Sequence, residues 1–305
     1  MPSSPLSERL TQTQQGFLYA FCCYLFWGLF PIYWYPLLGQ PIDAEQLLAQ
    51  RIVWSSVVAV ALLLMWRQGD VVWQALKQPK LWRIFLLSAL TLSINWLTYL
   101  WAVTHNHVLD ASLGYFMSPL VSIVLGCVFL KEVLSRVQLV SVILVSAGVL
   151  WLALLSGHVP YVALLLSISF GLYGLLRKQA PLPALAGLTL ETLMMLPFAL
   201  LFLAWVWIRN ELVFSELPAI PLMLVIGSGV VTTLPLLLFA AGTKRISLVS
   251  IGMIQYVSPT LQFLAGLFVF HEAFNVPRFI GYLWVWAGVG LFVWSSVYRW
   301  RKAKA

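Results

Sequence analysis

The chain has 305 residues, of which 61% are hydrophobic and 9% charged. Soluble domains average about 25% charged residues, so this composition excludes a soluble fold and points to a protein of the bilayer. The net charge of +8 is not a nucleic-acid signal, because the bases sit in short clusters between apolar runs instead of forming a block or a basic face.

A spanning helix needs about 20 apolar residues. Ten stretches qualify: 16–38, 43–66, 81–103, 109–130, 137–155, 160–176, 185–208, 219–241, 248–270 and 278–298. The tail ahead of the first, Met1 to Gln15, is polar with Arg9 as its single base. The first run is longer than a signal h-region and lacks a small-residue cleavage site, so it is expected to stay as a span. The longest connection, Arg67 to Lys80, has room for an amphipathic surface helix. Trp82, Trp205, Trp207 and Trp300 lie near span ends, where indoles anchor at the interface. Cys22, Cys23 and Cys127 offer neither a disulfide framework nor a metal-ligand spacing.

Lysine and arginine set the expected orientation. With the N-terminus in the cytoplasm, 15 of the 18 bases fall on that side, Arg209 and Arg278 fall outside, and Arg51 lies within a span. Both termini are therefore expected in the cytoplasm.

The fourth and ninth spans are copies of one another. Asp110–Glu132 reads DASLGYFMSPLVSIVLGCVFLKE, and 140 positions later Ser250–Glu272 reads SIGMIQYVSPTLQFLAGLFVFHE. Ser118, Pro119, Gly126 and Glu132 fall on Ser258, Pro259, Gly266 and Glu272. The same offset carries Ala147, Gly148 and Val149 onto Ala287, Gly288 and Val289, while WGLFP and FGLYG align Gly28 with Gly171 at an offset of 143. The chain is a duplication, with residues 1–155 the first five-helix repeat and 156–305 the second. An odd number of spans per copy inverts the second, so Glu132 and Glu272 are expected on opposite faces. Inverted repeats belong to secondary transporters, whose sites lie near mid-membrane where the halves meet. The fold class is an all-α membrane protein of ten helices in two inverted repeats.

Within the fourth span, Ala111, Ser112, Tyr115, Ser118, Pro119, Ser122 and Gly126 share an arc of about 120°. Leu113, Phe116, Met117, Leu120, Val124, Cys127 and Val128 form the opposite face, free to meet lipid. Pro119 and Pro259 lack an N–H, so each helix is expected to kink and to bare the carbonyls of Tyr115 and Gln255. The kinks either admit a cavity or serve packing alone. The small residues spaced by four read as packing rows.

Two charges lie inside spans, Arg51 and Glu191, again 140 apart. An unpaired charge there costs about 2.5–3.5 kcal/mol on insertion scales, so each needs a partner or a wet cavity. An ion pair between them is the first expectation; substrate or proton binding and snorkelling are the others. Arg51 suits an anionic group, and Glu191 a proton. Asn95, Trp96 and Tyr99, with Ser93, lie midway along the third span, and Thr232, Thr233 and Pro235 along the eighth. With Tyr115, Gln255 and Tyr256 from the proline helices, and Trp27, Tyr173 and Trp54 as aromatic walls, they complete a translocation pocket; each could equally serve helix packing.

Other chemistry fails to assemble. His105 and His107 beside Asp110 make a weak metal constellation, and Gly227-Ser228-Gly229 lacks nucleophile-elbow spacing. No catalytic residues, metal or cofactor are expected.

The stretches EQLLAQRIVWS from Glu45, SINWLTYLWAV from Ser93, LDASLGYFMSPL from Leu109 and TTLPLLLFAAGTKRISLVSIGMIQYVSPTLQF from Thr232 span most of the chain. On these residues it resembles the RarD-type permeases, a branch of the EamA-like drug/metabolite transporter superfamily. Thr104 and His105 depart from that pattern, where an asparagine-containing turn is more usual. The resemblance implies a ten-span permease of the bacterial inner membrane with two EamA repeats, and a label of chloramphenicol sensitivity or resistance. The expected function is secondary transport of a small organic solute or drug-like metabolite by alternating access, as a monomer or homodimer in the lipid bilayer. The alternatives are an uncoupled facilitator of amino-acid-like metabolites, a membrane enzyme acting on lipid, and a non-transporting scaffold.

Overall fold

The computed structural model describes residues 11–37, 40–105, 107–271 and 274–304. The expectations placed on Arg9, Glu272 and the side chains of Thr104 and Trp300 fall outside what is described. Twelve α-helices follow in order: α1 Gln12–Trp34, α2 Ala44–Met65, α3 Gly69–Leu76, α4 Pro79–Thr104, α5 Val108–Phe129, α6 Arg136–Leu154, α7 Tyr161–Gln179, α8 Ala184–Ile208, α9 Ala219–Thr243, α10 Leu248–Gln255, α11 Val257–Phe268 and α12 Val276–Lys304. Ten segments are long and apolar enough to cross a membrane, with α10 and α11 together forming the ninth, Leu248–Phe268. The remaining helix, α3, is the surface helix expected between Arg67 and Lys80.

The ends of these helices show why they stop where they do. Thr11 with Gln14 and Ser135 with Gln138 form capping boxes that satisfy the first amides of α1 and α6. Arg67 and Asn210 both adopt positive φ just past α2 and α8. The next amides, of Gln68 and Glu211, reach back five residues to Leu63 and Val206, closing each helix in a Schellman turn. Lys131 and His271 adopt the same left-handed backbone beyond α5 and α11. Every one of these exceptions occurs once in each repeat.

Packing repeats the same two-fold relation. The fifth span of each half, α6 and α12, pack on each other, as do α2 with α8 and α5 with α10. The first span of each half crosses into the other: α1 lies against α9, α10 and α11, and α7 against α4 and α5. A Cβ at Gly148 would meet the Gly281 carbonyl at 2.7 Å, and one at Gly288 would meet the Ser141 carbonyl at 2.6 Å. Gly148 and Gly288 are 140 apart, as are Ser141 and Gly281, so exchanging the repeats turns one contact into the other. The two halves are an inverted pair.

The face of α5 expected to meet lipid mostly does not. Phe116, Met117, Leu120 and Cys127 pack into a cluster with Val145, Val149, Val285 and Phe292 of α6 and α12, and Leu113 is buried. Val124 and Val128 alone on that face are exposed. The α6–α12 pair is the reason, since it covers this side of α5 in the bundle.

The charged core also differs from expectation. Arg177, counted with the topology-setting bases, is fully buried and pairs with Glu191 at 3.2 Å. Glu191 Oε1 also accepts from Ser88 Oγ at 2.5 Å, and its Oε2 accepts from Tyr173 Oη at 3.5 Å. Arg177 Nη2 donates to the Ala184 carbonyl, and its guanidinium stands over Phe85. Glu191 is thus joined to Arg177, not Arg51: Arg177 stands in the last turn of α7, and the short connection from Ala180 to Pro183 brings α8 back past it.

The ends of the helices nearby are tied across the repeats. The Glu132 carboxylate accepts from the amides of Leu248 and Val249 at 2.7 and 2.8 Å, capping α10. Arg245 Nε donates to Gln12 Oε1 at 3.0 Å. Lys178 Nζ donates to the Ile246 and Thr243 carbonyls, and Lys244 to that of Leu182. Half-burial, then the proximity of Arg177 and Arg245, push the Lys244 ammonium down to about 8.

Two predictions follow from these contacts. Removing one partner of a buried pair leaves an uncompensated charge and costs about 3–5 kcal/mol. Glu191→Leu and Arg177→Met should each lower the melting temperature in detergent, while the double variant Glu191→Leu/Arg177→Met recovers most of the loss. Additive losses in the cycle would show that the two charges are not coupled. For Lys244, the unfolded ammonium titrates near about 10.4, above its folded value, so its burial penalty is complete below pH 8 and lifts as pH rises toward 10. Wild type should therefore gain stability relative to Lys244→Met between pH 7 and 10. Parallel stability curves would contradict it.

Candidate functional site

Arg51 projects from α2 into a different environment from that of Glu191. Its guanidinium carbon stands over the rings of Trp96 and Trp34, 5.1 and 5.5 Å from their centroids. Nε donates to Thr232 Oγ1 at 3.3 Å. Among the described residues no carboxylate lies within ion-pair distance of it and no acceptor meets its two terminal nitrogens. Tyr99 and Tyr115 stand close by, their ring centroids 6.0 Å apart. Both are ringed by protein, yet 41% and 36% of their surfaces remain accessible. Surface of that kind belongs to a hollow. It is bounded by α1, α2, α4, α5 and α9, and so by both repeats.

The helices that place these groups do so by register. Trp96 and Tyr99 are three apart on α4 and share a face. Trp34 ends α1 and is followed by a short 3₁₀ turn, Tyr35–Leu37. Thr232 comes from α9, which packs along both α1 and α2.

The other candidates serve contacts between helices. Asn95 Nδ2 donates to the Leu166 carbonyl at 2.9 Å and Ser169 Oγ at 3.1 Å, tying α4 to α7. Thr233 Oγ1 donates to the Ser55 carbonyl at 3.3 Å. Tyr256 is buried, with its hydroxyl on the Phe116 carbonyl at 3.0 Å. Gln255 Oε1 accepts from Tyr24 Oη at 3.4 Å, and Ser258 Oγ donates to the Tyr24 carbonyl at 2.6 Å. Trp27 packs edge-on to Tyr24 and Phe170, and Tyr173 stacks on Phe239 at 5.6 Å. Trp54 lies near Phe214, its indole N–H buried without a partner among the described residues. The prolines differ from each other: α5 runs unbroken through Pro119, whereas the ninth span is interrupted at Tyr256, three residues before Pro259.

Two cavities lie elsewhere. One of about 400 Å³ sits between α2, α4 and α8 and is almost wholly apolar, with Ile52, Leu90, Met195 and Phe198 among its walls. Trp96 lines it too, and the same indole carries Arg51 over its ring. The second, about 520 Å³, borders Trp101, His105 and Tyr161 between α4 and α7. His107 Nδ1 meets Asp110 at 3.0 Å, and His158 Nε2, absent from the sequence reading, approaches the same carboxylate at 3.6 Å.

Trp34 and Arg177 are the partners that sequence reasoning missed. The offset of 143 that aligns WGLFP with FGLYG also places Trp34 on Arg177. Equivalent positions therefore meet equivalent positions: Trp34 against Arg51 in one half, Arg177 against Glu191 in the other. Extending the alignment by three residues would have found both.

The EamA-like transporter family profile matches residues 14–154 and 160–294. The uncharacterized transporter YojE of Bacillus subtilis is 45% identical over 296 residues, 96% of this chain and 97% of its own. Protein RarD of Escherichia coli is 36% identical, with 95% and 98% of the two chains covered. The chloramphenicol-sensitive protein RarD of Pseudomonas aeruginosa is 31% identical over 88% of this chain and 90% of its own. A crystal structure 17% identical in sequence shares the fold, with a TM-score of 0.70 over 92% of this chain and 97% of that one. Two matched repeats, ten apolar helices and full-length relatives agree: the chain belongs to the EamA-like transporter family, as a transporter of the RarD type.

Proposed function

We propose that this protein is a secondary transporter that moves a small organic solute across the bacterial inner membrane by alternating access. The observation that carries the reading is the hollow around Arg51, walled by helices of both repeats. Asymmetry between the halves supports it. At the equivalent place in the second repeat, Glu191 and Arg177 fill the space with a closed network. With the termini in the cytoplasm, as the distribution of bases favours, the ties of Glu132 to α10 and of Arg245 to Gln12 seal the cytoplasmic end. The hollow then opens outward, and rocking one repeat against the other would exchange the two states.

A second reading concerns the energy source. Glu191 is engaged by Arg177, Ser88 and Tyr173, which removes the acid best suited to proton coupling from the hollow. This favours a facilitator driven by the solute gradient alone. The alternatives of a lipid-modifying enzyme and a scaffold have no comparable feature to account for the two-sided pocket. The name of the Pseudomonas relative makes chloramphenicol a reasonable test solute.

The test is efflux from proteoliposomes loaded with a mixture of small metabolites and chloramphenicol, followed by mass spectrometry. Loss of one or a few solutes beyond protein-free vesicles is expected, independent of an imposed pH gradient. Accumulation driven by a pH gradient would replace the facilitator with a coupled transporter. Retention of every solute would overturn transport itself.

A further inference from the structure

We infer that the solute is a flat organic monocarboxylate lacking a basic amine, held by Arg51 between the indoles of Trp34 and Trp96. The inference rests on the transporter reading and narrows it. Arg51 is the charge in the hollow, and its position decides what it can meet. Two indoles near its guanidinium offset part of the cost of placing a cation in the membrane, but a ring face accepts no in-plane hydrogen bond. Thr232 takes the Nε proton. The terminal nitrogens are left facing the hollow, in the fork geometry that matches two oxygens of one acid group.

Charge balance selects among acids. Among the described residues, no second base joins Arg51 in the hollow, so one negative charge is neutralised and a phosphate monoester, carrying nearly two, is left in excess. Among the described residues no acidic side chain stands there to receive an ammonium either: Glu191 is bound to Arg177 outside the hollow. An amino acid would therefore enter with its amine unmatched, at the cost of an uncompensated buried charge. The walls set the remaining chemistry. Trp34, Trp96, Tyr99 and Tyr115 offer rings to a planar apolar body, with two phenolic hydroxyls at hand for a polar substituent.

The experiment measures binding to the purified full-length protein in detergent by tryptophan fluorescence and thermal shift. The probes are phenylacetate, phenylacetamide, phenethylamine, phenylalanine and phenyl phosphate. Phenylacetate should bind, and each of the others at least tenfold more weakly. Arg51→Gln should reduce phenylacetate binding at least tenfold while the protein stays monodisperse. Arg51→Lys, which keeps the charge without the fork, should retain an intermediate affinity and serves if the glutamine variant does not fold. Equal binding of the amide or the amine, tighter binding of phenylalanine or phenyl phosphate, or binding indifferent to both Arg51 variants would overturn the assignment. Should phenylacetate fail to bind while proteoliposomes release other solutes, the substrate class is wrong and the transporter reading survives. Vesicles that release nothing would end both.

Discussion

A charge inside a bilayer must be met by something, and the two intramembrane sites of this protein meet that demand in opposite ways. Glu191 is enclosed by Arg177, Ser88 and Tyr173, so its carboxylate is satisfied within the protein. Arg51, at the equivalent position of the other repeat, has two aromatic rings and one hydroxyl. The enclosed group locks helices together and the other leaves space. The two repeats supply the same scaffold twice, and at corresponding positions one holds a closed network and the other an open one.

That division depends on the packing around it. The α6–α12 pair holds the repeats together on one side, with backbones brought into contact at Gly148 and Gly288. On the other side, α1 and α7 each lie against the opposite repeat, so that each half contributes a wall to the other's interior. The hollow is consequently a property of the assembled pair; neither repeat encloses it alone. Polar side chains such as Asn95, Thr233 and Tyr256 join helices around it and set its walls without entering it.

Much of this was legible from residue order alone. The ten spans, the surface helix and the inversion followed from hydropathy, loop charge and an offset of 140, because lipid imposes length and sign rules that act along the chain. Arg51 stood out by its cost in apolar surroundings, Trp96 and Tyr99 by lying midway along the third span, and Tyr115 by its place on a proline helix. Its partner was misjudged. Depth along the helix axis suggested Glu191 could reach Arg51, but which helix stands beside which is a lateral fact that depth does not contain. Arg177 was misread for a related reason: a base near a helix end satisfies the same sequence criterion whether it points to water or turns inward. The covered face of α5 was likewise invisible, since an apolar stripe looks the same against lipid as against α6 and α12.

If the protein works by the alternating access proposed above, the Glu132 carboxylate sets a starting cost for the cycle. It rests on the first two amides of α10, where two short charge-assisted hydrogen bonds and the helix dipole act together. Parting α5 from α10 at that end strips the cap from a helix terminus and leaves an anion to be rehydrated. In the proposed cycle a latch of this kind would not select cargo, but it would hold the resting protein shut on one side, and its strength would enter the turnover rate.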